Sequence, residues 1–122
     1  DEDEVAVGSE EISLSGLEKE INKLFVEEKL YLNPQLKLSD VARQVGTNRT
    51  YLSRFFNQEK QMTFFDYVNN LRVEHAVGLL QKSNLRLNVI AEQSGFNSIS
   101  TFRRFFAAKQ QCTPSEYRKR FL

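Results

Sequence analysis

The chain lacks most of what other fold classes and catalytic chemistries need: among 122 residues it has no Trp, one Cys, one His, two Pro and five Gly. With Cys112 alone, an intramolecular disulfide is excluded and nothing suggests a cysteine-based metal site, so a reducing, cytoplasmic setting is expected. His75 lies between Glu74 and Ala76 with no visible partner, and a structural role on the surface or half-buried is expected for it. No Gly-rich phosphate loop, metal-ligand cluster or activated nucleophile appears, so neither an enzyme nor a cofactor is expected. A run of about 18 apolar residues is also missing, and the acidic start is unlike a signal peptide, so this segment is not expected to contact a membrane.

What is present favours helices. Leu, Phe, Lys, Arg, Glu and Gln are frequent, and 40% of the residues are hydrophobic, enough to bury a core. The fold class expected is all-α. The net charge of +1 hides an asymmetry. Residues 1 to 30 hold ten acidic side chains against three basic, and residues 31 to 122 hold fourteen basic against six acidic. A basic globular segment suits a polyanionic partner, because neutralised phosphates release condensed counterions. Residues 1–13 read as an acidic linker, and with no initiating Met the chain is expected to be a fragment of a longer protein whose sensor or effector domain lies outside it.

Periodicity then divides residues 14–122. Leu17, Ile21, Leu24 and Phe25 mark one face of a first helix ending near Lys29; the same positions also fit a short coiled-coil seam that Glu28 interrupts. Ser39 is expected to cap a helix through Val41, Ala42 and Val45 that stops at Gly46, and Asn48 to cap a second helix whose stripe is Leu52, Phe55 and Phe56. This is a helix-turn-helix over about 38–57. Thr63 and Asp66 open a long connecting helix, about 64–81, with Phe65, Val68, Leu71, Ala76, Leu79 and Leu80 as its buried stripe. A second helix-turn-helix is expected over about 88–107, capped by Asn88 and Ser98 and interrupted at Gly95. Thr113-Pro114-Ser115-Glu116 forms a capping box that opens a last short helix.

The second unit repeats the first. Asn48-x5-Arg54-Phe55-Phe56 falls on Ser98-x5-Arg104-Phe105-Phe106, and Met62-Thr63-x2-Asp66-Tyr67 on Cys112-Thr113-x2-Glu116-Tyr117, at a spacing of fifty residues. The second copy adds one turn residue, Phe96 or Asn97. A supersecondary unit used twice is a duplication rather than a solenoid. A helix that enters the major groove of DNA must be polar on its outward side. Arg49, Thr50, Ser53 and Arg54 meet that requirement in the first copy. Ser100, Arg103 and Arg104 meet it in the second, with Ile99 placed to touch a thymine methyl. Arg54 and Arg104 are the sharpest candidates, because a guanidinium bonds guanine O6 and N7 bidentately. Solvated surface is the plain alternative for each arginine, and core packing is expected for Phe55, Phe56, Phe102, Phe105 and Phe106. Cys112 aligns with Met62, which predicts a buried apolar position. Contacts to the DNA backbone are expected from Lys82 and Arg86, with Lys119 and Arg120 as further candidates, and from the helix starts at Ser39, Asn48, Thr63, Asn88, Ser98 and Thr113. The rival reading is a helical protein-interaction module using the acidic first helix.

The pattern Ala42-x3-Gly46-x4-Tyr51-Leu52-x-Arg54-x-Phe56, its counterpart Ile90-Ala91-x3-Gly95-Phe96-x5-Phe102-x-Arg104-x-Phe106, and the closing Thr113-Pro114-x2-Tyr117-Arg118 resemble the AraC/XylS family of transcription regulators over residues 17 to 121. Arg72-x3-Ala76-x2-Leu79-Leu80 fits it as well. The resemblance implies a seven-helix domain with two helix-turn-helix subdomains joined by a long helix. Its implied partners are double-stranded promoter DNA and RNA polymerase, with activation the usual outcome. Carried over by position, the base readers are Arg49, Thr50, Ser53 and Arg54, then Ile99, Ser100, Arg103 and Arg104. Gln61 and Gln111 stand where the family usually has Gly, and Gln tolerates a positive φ poorly.

Overall fold

A computed structural model of the chain describes residues 13–121; the acidic stretch 1–12 lies outside the described residues. Among these residues there are seven α-helices and no strand: α1 Leu14–Asn22, α2 Leu38–Val45, α3 Arg49–Phe55, α4 Phe64–Lys82, α5 Leu87–Gln93, α6 Ile99–Gln110 and α7 Pro114–Lys119. This is the all-α, seven-helix architecture expected. The described residues divide into two compact units, one of Gln35–Tyr67 with the described residues up to Leu30, the other of Tyr31–Pro34 with the described residues from Val68 onward.

In the first unit, α1 continues into a π-helical turn, Lys23–Glu27, and ends with Lys29 in the left-handed region. Leu17, Ile21 and Phe25 are completely buried, as a three- and four-residue spacing requires. Helix α2 begins at Leu38, so Ser39 is not its cap. Lys37 occupies that position, and its backbone N–H donates to Asp40 Oδ2 at 3.1 Å. The aspartate three residues on thus makes the reciprocal half of a capping box, accepting from the cap residue's own N–H. Asn48 does cap α3, its Oδ1 accepting from the Tyr51 N–H at 2.8 Å. The chain then runs through a π-helical turn, Phe56–Lys60. Phe56 is the centre of the unit's aromatic cluster, with Phe55, Phe64 and Tyr67 within 5.4 Å of its ring centroid.

The second unit is organised on α4. Val73, Ala76 and Leu80 are buried with Ile90, Ala91, Phe96, Phe102 and Phe106. Phe65 departs from the expected stripe and is 57% exposed, while Leu71 and Leu79 are half-buried. The reason is a change of partner along the helix. At its start α4 contributes Phe64 and Tyr67 to the first unit, against Phe25 and Phe56. Only from Val68 does the stripe of the second unit begin, and Phe65 precedes it. Helix α5 starts at Leu87 with Arg86 as its cap, so Asn88 lies inside the first turn rather than before it. The box at Thr113 forms in full: Thr113 Oγ1 accepts from the Glu116 N–H at 3.1 Å, and Glu116 Oε1 accepts from the Thr113 N–H at 2.9 Å. Hydrogen bonds to the carboxyl from the Thr113 backbone N–H and from its side chain hold Glu116 below the usual glutamate range.

Candidate nucleic-acid interface

Both helix-turn-helix corners are closed by the same backbone device. After α2, the Thr47 N–H donates to Ala42 O at 2.9 Å and the Gly46 N–H to Arg43 O at 3.3 Å, with Gly46 at φ +81°. After α5, the Phe96 N–H donates to Ala91 O at 3.0 Å and the Gly95 N–H to Glu92 O at 3.1 Å, with Gly95 at φ +94°. These pairs of bonds cap the last carbonyls of a helix around one left-handed residue, which Gly supplies with least strain. The second turn is one residue longer: Thr47 alone separates Gly46 from the cap Asn48, whereas Phe96 and Asn97 separate Gly95 from the cap Ser98. Phe96 is buried in the core and Asn97 is exposed, its Nδ2 donating to Pro34 O at 3.1 Å.

The helices that follow present the expected residues outward. Arg49, Thr50 and Arg54 are exposed on α3 and Ser53 is half-buried, while Leu52, Phe55 and Phe56 point into the core. Leu38 and the polar trio Arg49, Thr50 and Ser53 line one shallow depression. Arg54 lines a second one with Leu14, Tyr51, Phe55, Gln58 and Glu59. On α6, Ser100, Arg103 and Arg104 are exposed and Phe102 and Phe106 are completely buried. The Arg104 guanidinium lies 5.4 Å from the Phe105 ring centre, a cation–π contact that restrains the side chain. Phe105 is half-buried and packs against the second core, as its place in the repeat suggested. Ile99 packs against the second core and is half-buried, so the fold already occupies part of its apolar surface. Cys112 is half-buried against the same core.

Among the positions expected to meet the DNA backbone, Lys82, Arg86, Thr63, Ser98 and Thr113 are exposed, as are Lys119 and Arg120. Asn48 is only 2% exposed, with its side-chain oxygen committed to the Tyr51 N–H, so that side chain is withdrawn from the surface. Ser39 and Asn88 lie within the first turns of α2 and α5.

Two structural roles were not read from the sequence: that of Arg72, quoted there only as fitting the family pattern, and that of Ser94. Arg72 is 8% exposed, yet its guanidinium donates to Tyr31 O at 2.7 Å, Asn33 O at 2.9 Å and Asn69 Oδ1 at 3.1 Å. Burial lowers its pKa from the ordinary arginine value. A buried cation held by carbonyls fixes the Tyr31–Pro34 segment inside the second unit. Ser94, completely buried, sits 3.2 Å from His75 Nδ1 through its Oγ, which places the single histidine in a structural contact. Among the described residues, no group of three or more His, Cys, Asp or Glu side chains is placed to hold a metal ion, and no helix is long and apolar enough to cross a membrane.

A duplicated helix-turn-helix with polar outer faces defines a class of DNA-binding domain, and comparison with known proteins narrows it. A model described as a helix-turn-helix domain matches residues 41–120. An uncharacterized HTH-type transcriptional regulator of Bacillus subtilis, YfiF, is 36% identical over 99 residues, which cover 78% of this chain and 31% of that protein. Among solved structures, the C-terminal domain of the two-component response regulator yesN from Fusobacterium nucleatum is 34% identical with a TM-score of 0.73, covering 82% of this chain and 96% of that one. A Chromobacterium violaceum transcriptional regulator, described as having an AraC-type DNA-binding domain, is 26% identical with a TM-score of 0.75, covering 86% and 94%. The chain belongs to the AraC-type helix-turn-helix family of transcriptional regulators, as their DNA-binding domain.

Proposed function

We propose that α3 and α6 each enter a DNA major groove, the two grooves being adjacent, and that one chain reads both. The observation that carries this is the pair of register-matched polar faces, Arg49, Thr50, Ser53 and Arg54 on one and Ser100, Arg103 and Arg104 on the other, each backed by a buried aromatic stripe. Helix α4 has 19 residues, about 28 Å at ~1.5 Å each, comparable with the ~34 Å of one DNA turn. A palindromic operator is then unnecessary. Base reading rests on Arg54 and Arg104, with Ile99 contributing what surface the core leaves it. Phosphate contacts come from Lys82 and Arg86 and from the helix starts at Thr63, Ser98 and Thr113.

The chain spans about a third of YfiF, and the yesN domain is the C-terminal part of a response regulator, which supports reading this chain as the output domain of a larger cytoplasmic regulator. Activation through RNA polymerase is the outcome proposed for the intact protein. Selection of bound sequences from a random duplex pool tests the central claim. Recovery of two short boxes about one turn apart supports it. A single box restricts reading to one helix, and a pool that stays random refutes sequence-specific binding.

A further inference from the structure

We infer that Asn97 is a positioning residue for base reading by α6: together with the segment Tyr31–Pro34 it braces the start of that helix, and reading by Ile99 and Ser100 depends on the brace. This rests on the DNA-binding reading proposed above. Every group involved lies in the second unit. Arg72, buried on α4, donates to Tyr31 O and Asn33 O, which ties the segment to that helix at two points. Pro34 follows in the chain, and its carbonyl oxygen accepts from Asn97 Nδ2 at 3.1 Å. On the other side of the corner Ser94 Oγ lies 3.2 Å from His75 Nδ1, and His75 stands about one turn along α4 from Arg72. Gly95 sits between these ties. A Cβ there would strike Tyr31 O, so the corner already rests on the segment.

The first helix-turn-helix is built differently. Thr47 alone stands in its turn, and a Cβ at Gly46 would meet nothing within 4 Å. The longer second turn sends Phe96 into the core and leaves Asn97 outside, within reach of Pro34. Placement matters at this end of α6 because Ile99 and Ser100 are its first two residues, and Pro34 shares one cleft with Asn97, Ser98 and Ile99. A hydrogen bond to a base edge needs roughly 2.7 to 3.2 Å, so a shift of about 1 Å at the helix start removes discrimination and leaves the longer-range attraction to phosphates. Asn97 is exposed, so its bond adds little to stability. What it contributes is the direction in which α6 leaves the turn.

The test compares the chain with Asn97→Ala, Arg72→Lys and the double variant. Lysine keeps the charge of Arg72 but lacks the planar fork that serves two carbonyls at once. Bound sequences are selected from a random duplex pool, affinity for a labelled random-sequence duplex is read across a salt series, and melting is followed without DNA. The box read by α6 is the one that Arg104→Ala relaxes. Asn97→Ala is expected to lower preference at that box about two- to tenfold, the equivalent of one neutral hydrogen bond. The box read by α3, the affinity for random duplex and its salt slope should stay as they were, with the melting temperature within about 3 °C. Arg72→Lys should relax the same box and also lower the melting temperature. The double variant should match Arg72→Lys in preference, because both residues act through one segment; additive losses would overturn the brace. Weaker binding to random duplex with a shallower salt slope would make Asn97 a phosphate contact instead. A lower melting temperature for Asn97→Ala with both preferences intact would reduce it to a structural residue. If the unmodified chain selects no sequence, the DNA-binding reading itself fails. Amide hydrogen exchange without DNA then decides the brace: the Thr101 and Phe102 N–H groups, which bond Ser98, should exchange faster in Asn97→Ala while that of Leu52 in α3 does not change. Equal exchange at all three overturns it.

Discussion

Gly46 and Gly95 occupy the same place in two copies of one motif, have nearly the same φ and close the same pair of backbone bonds, yet they are glycines for different reasons. A Cβ added at Gly46 would meet no atom within 4 Å, so only the left-handed backbone demands glycine there. At Gly95 the added atom would collide with Tyr31 O and come within 3.0 Å of Arg72 Nε and Leu32 Cα. The second turn is built against the buried Arg72 and the segment it holds, and the first has no such neighbour. Duplication preserved the corner, while packing around it diverged.

Where the two units agree most closely, damage should be equal and largest. Phe56→Ala and Phe106→Ala each remove a completely buried ring from the centre of a unit's aromatic packing, which should cost roughly 3 to 5 kcal/mol in denaturant unfolding. A loss under about 1 kcal/mol for either ring would show that its unit does not depend on it.

Next come the glycines, where the units should differ. Gly46→Ala incurs only the left-handed penalty, about 1 kcal/mol. Gly95→Ala adds overpacking against a backbone carbonyl and a buried guanidinium, for a total of about 2 to 5 kcal/mol. Equal destabilisation of the two variants would mean that the clamp around Arg72 yields easily, and the contrast drawn above would fail.

A smaller effect separates the two arginines proposed to read bases. Arg54→Ala and Arg104→Ala should each cost about 1 to 3 kcal/mol on the selected site and relax preference at one base pair. Arg104, already held by Phe105, loses less freedom on binding and should lie at the upper end. Losses of the same size on random duplex would make both arginines phosphate contacts.

The polar faces and the buried stripes of α3 and α6 were legible because helical periodicity and a fifty-residue repeat point to the same residues. Helix starts at Ser39 and Asn88 were misplaced because a serine or asparagine inside the first turn looks like a cap when the true cap, Lys37 or Arg86, has a side chain that gives no sign of it. Phe65 was assigned to the core because its spacing fits the stripe of the second unit, and spacing does not reveal where along α4 that unit begins. The buried role of Arg72 was unreadable for a different reason. Its partners are mainly backbone carbonyls from about forty residues away, and carbonyls carry no sequence signature.

The smallest contrast lies after the π turn that follows α3 and at the end of α6, where Gln61 and Gln111 hold φ of +58° and +62° in place of the family's usual glycine. Glycine at either position relieves left-handed strain of about 1 to 2 kcal/mol but returns about 0.5 to 1 kcal/mol through the freer unfolded chain, so a modest net stabilisation is expected. The two sites are not equivalent. Gln61 ends a π-helical turn in which its own N–H and that of Met62 both donate to Phe56 O, bonds that glycine keeps. Gln111 also donates from its side-chain Nε2 to Ala108 O at 3.1 Å, a bond glycine loses, worth about 0.5 kcal/mol at an exposed site. Gln61→Gly should therefore stabilise by several tenths of a kcal/mol more than Gln111→Gly, a difference within reach of parallel denaturant titrations. A larger gain at Gln111 would mean that its side-chain bond contributes nothing, and that the strain at the end of α6 exceeds that after the π turn.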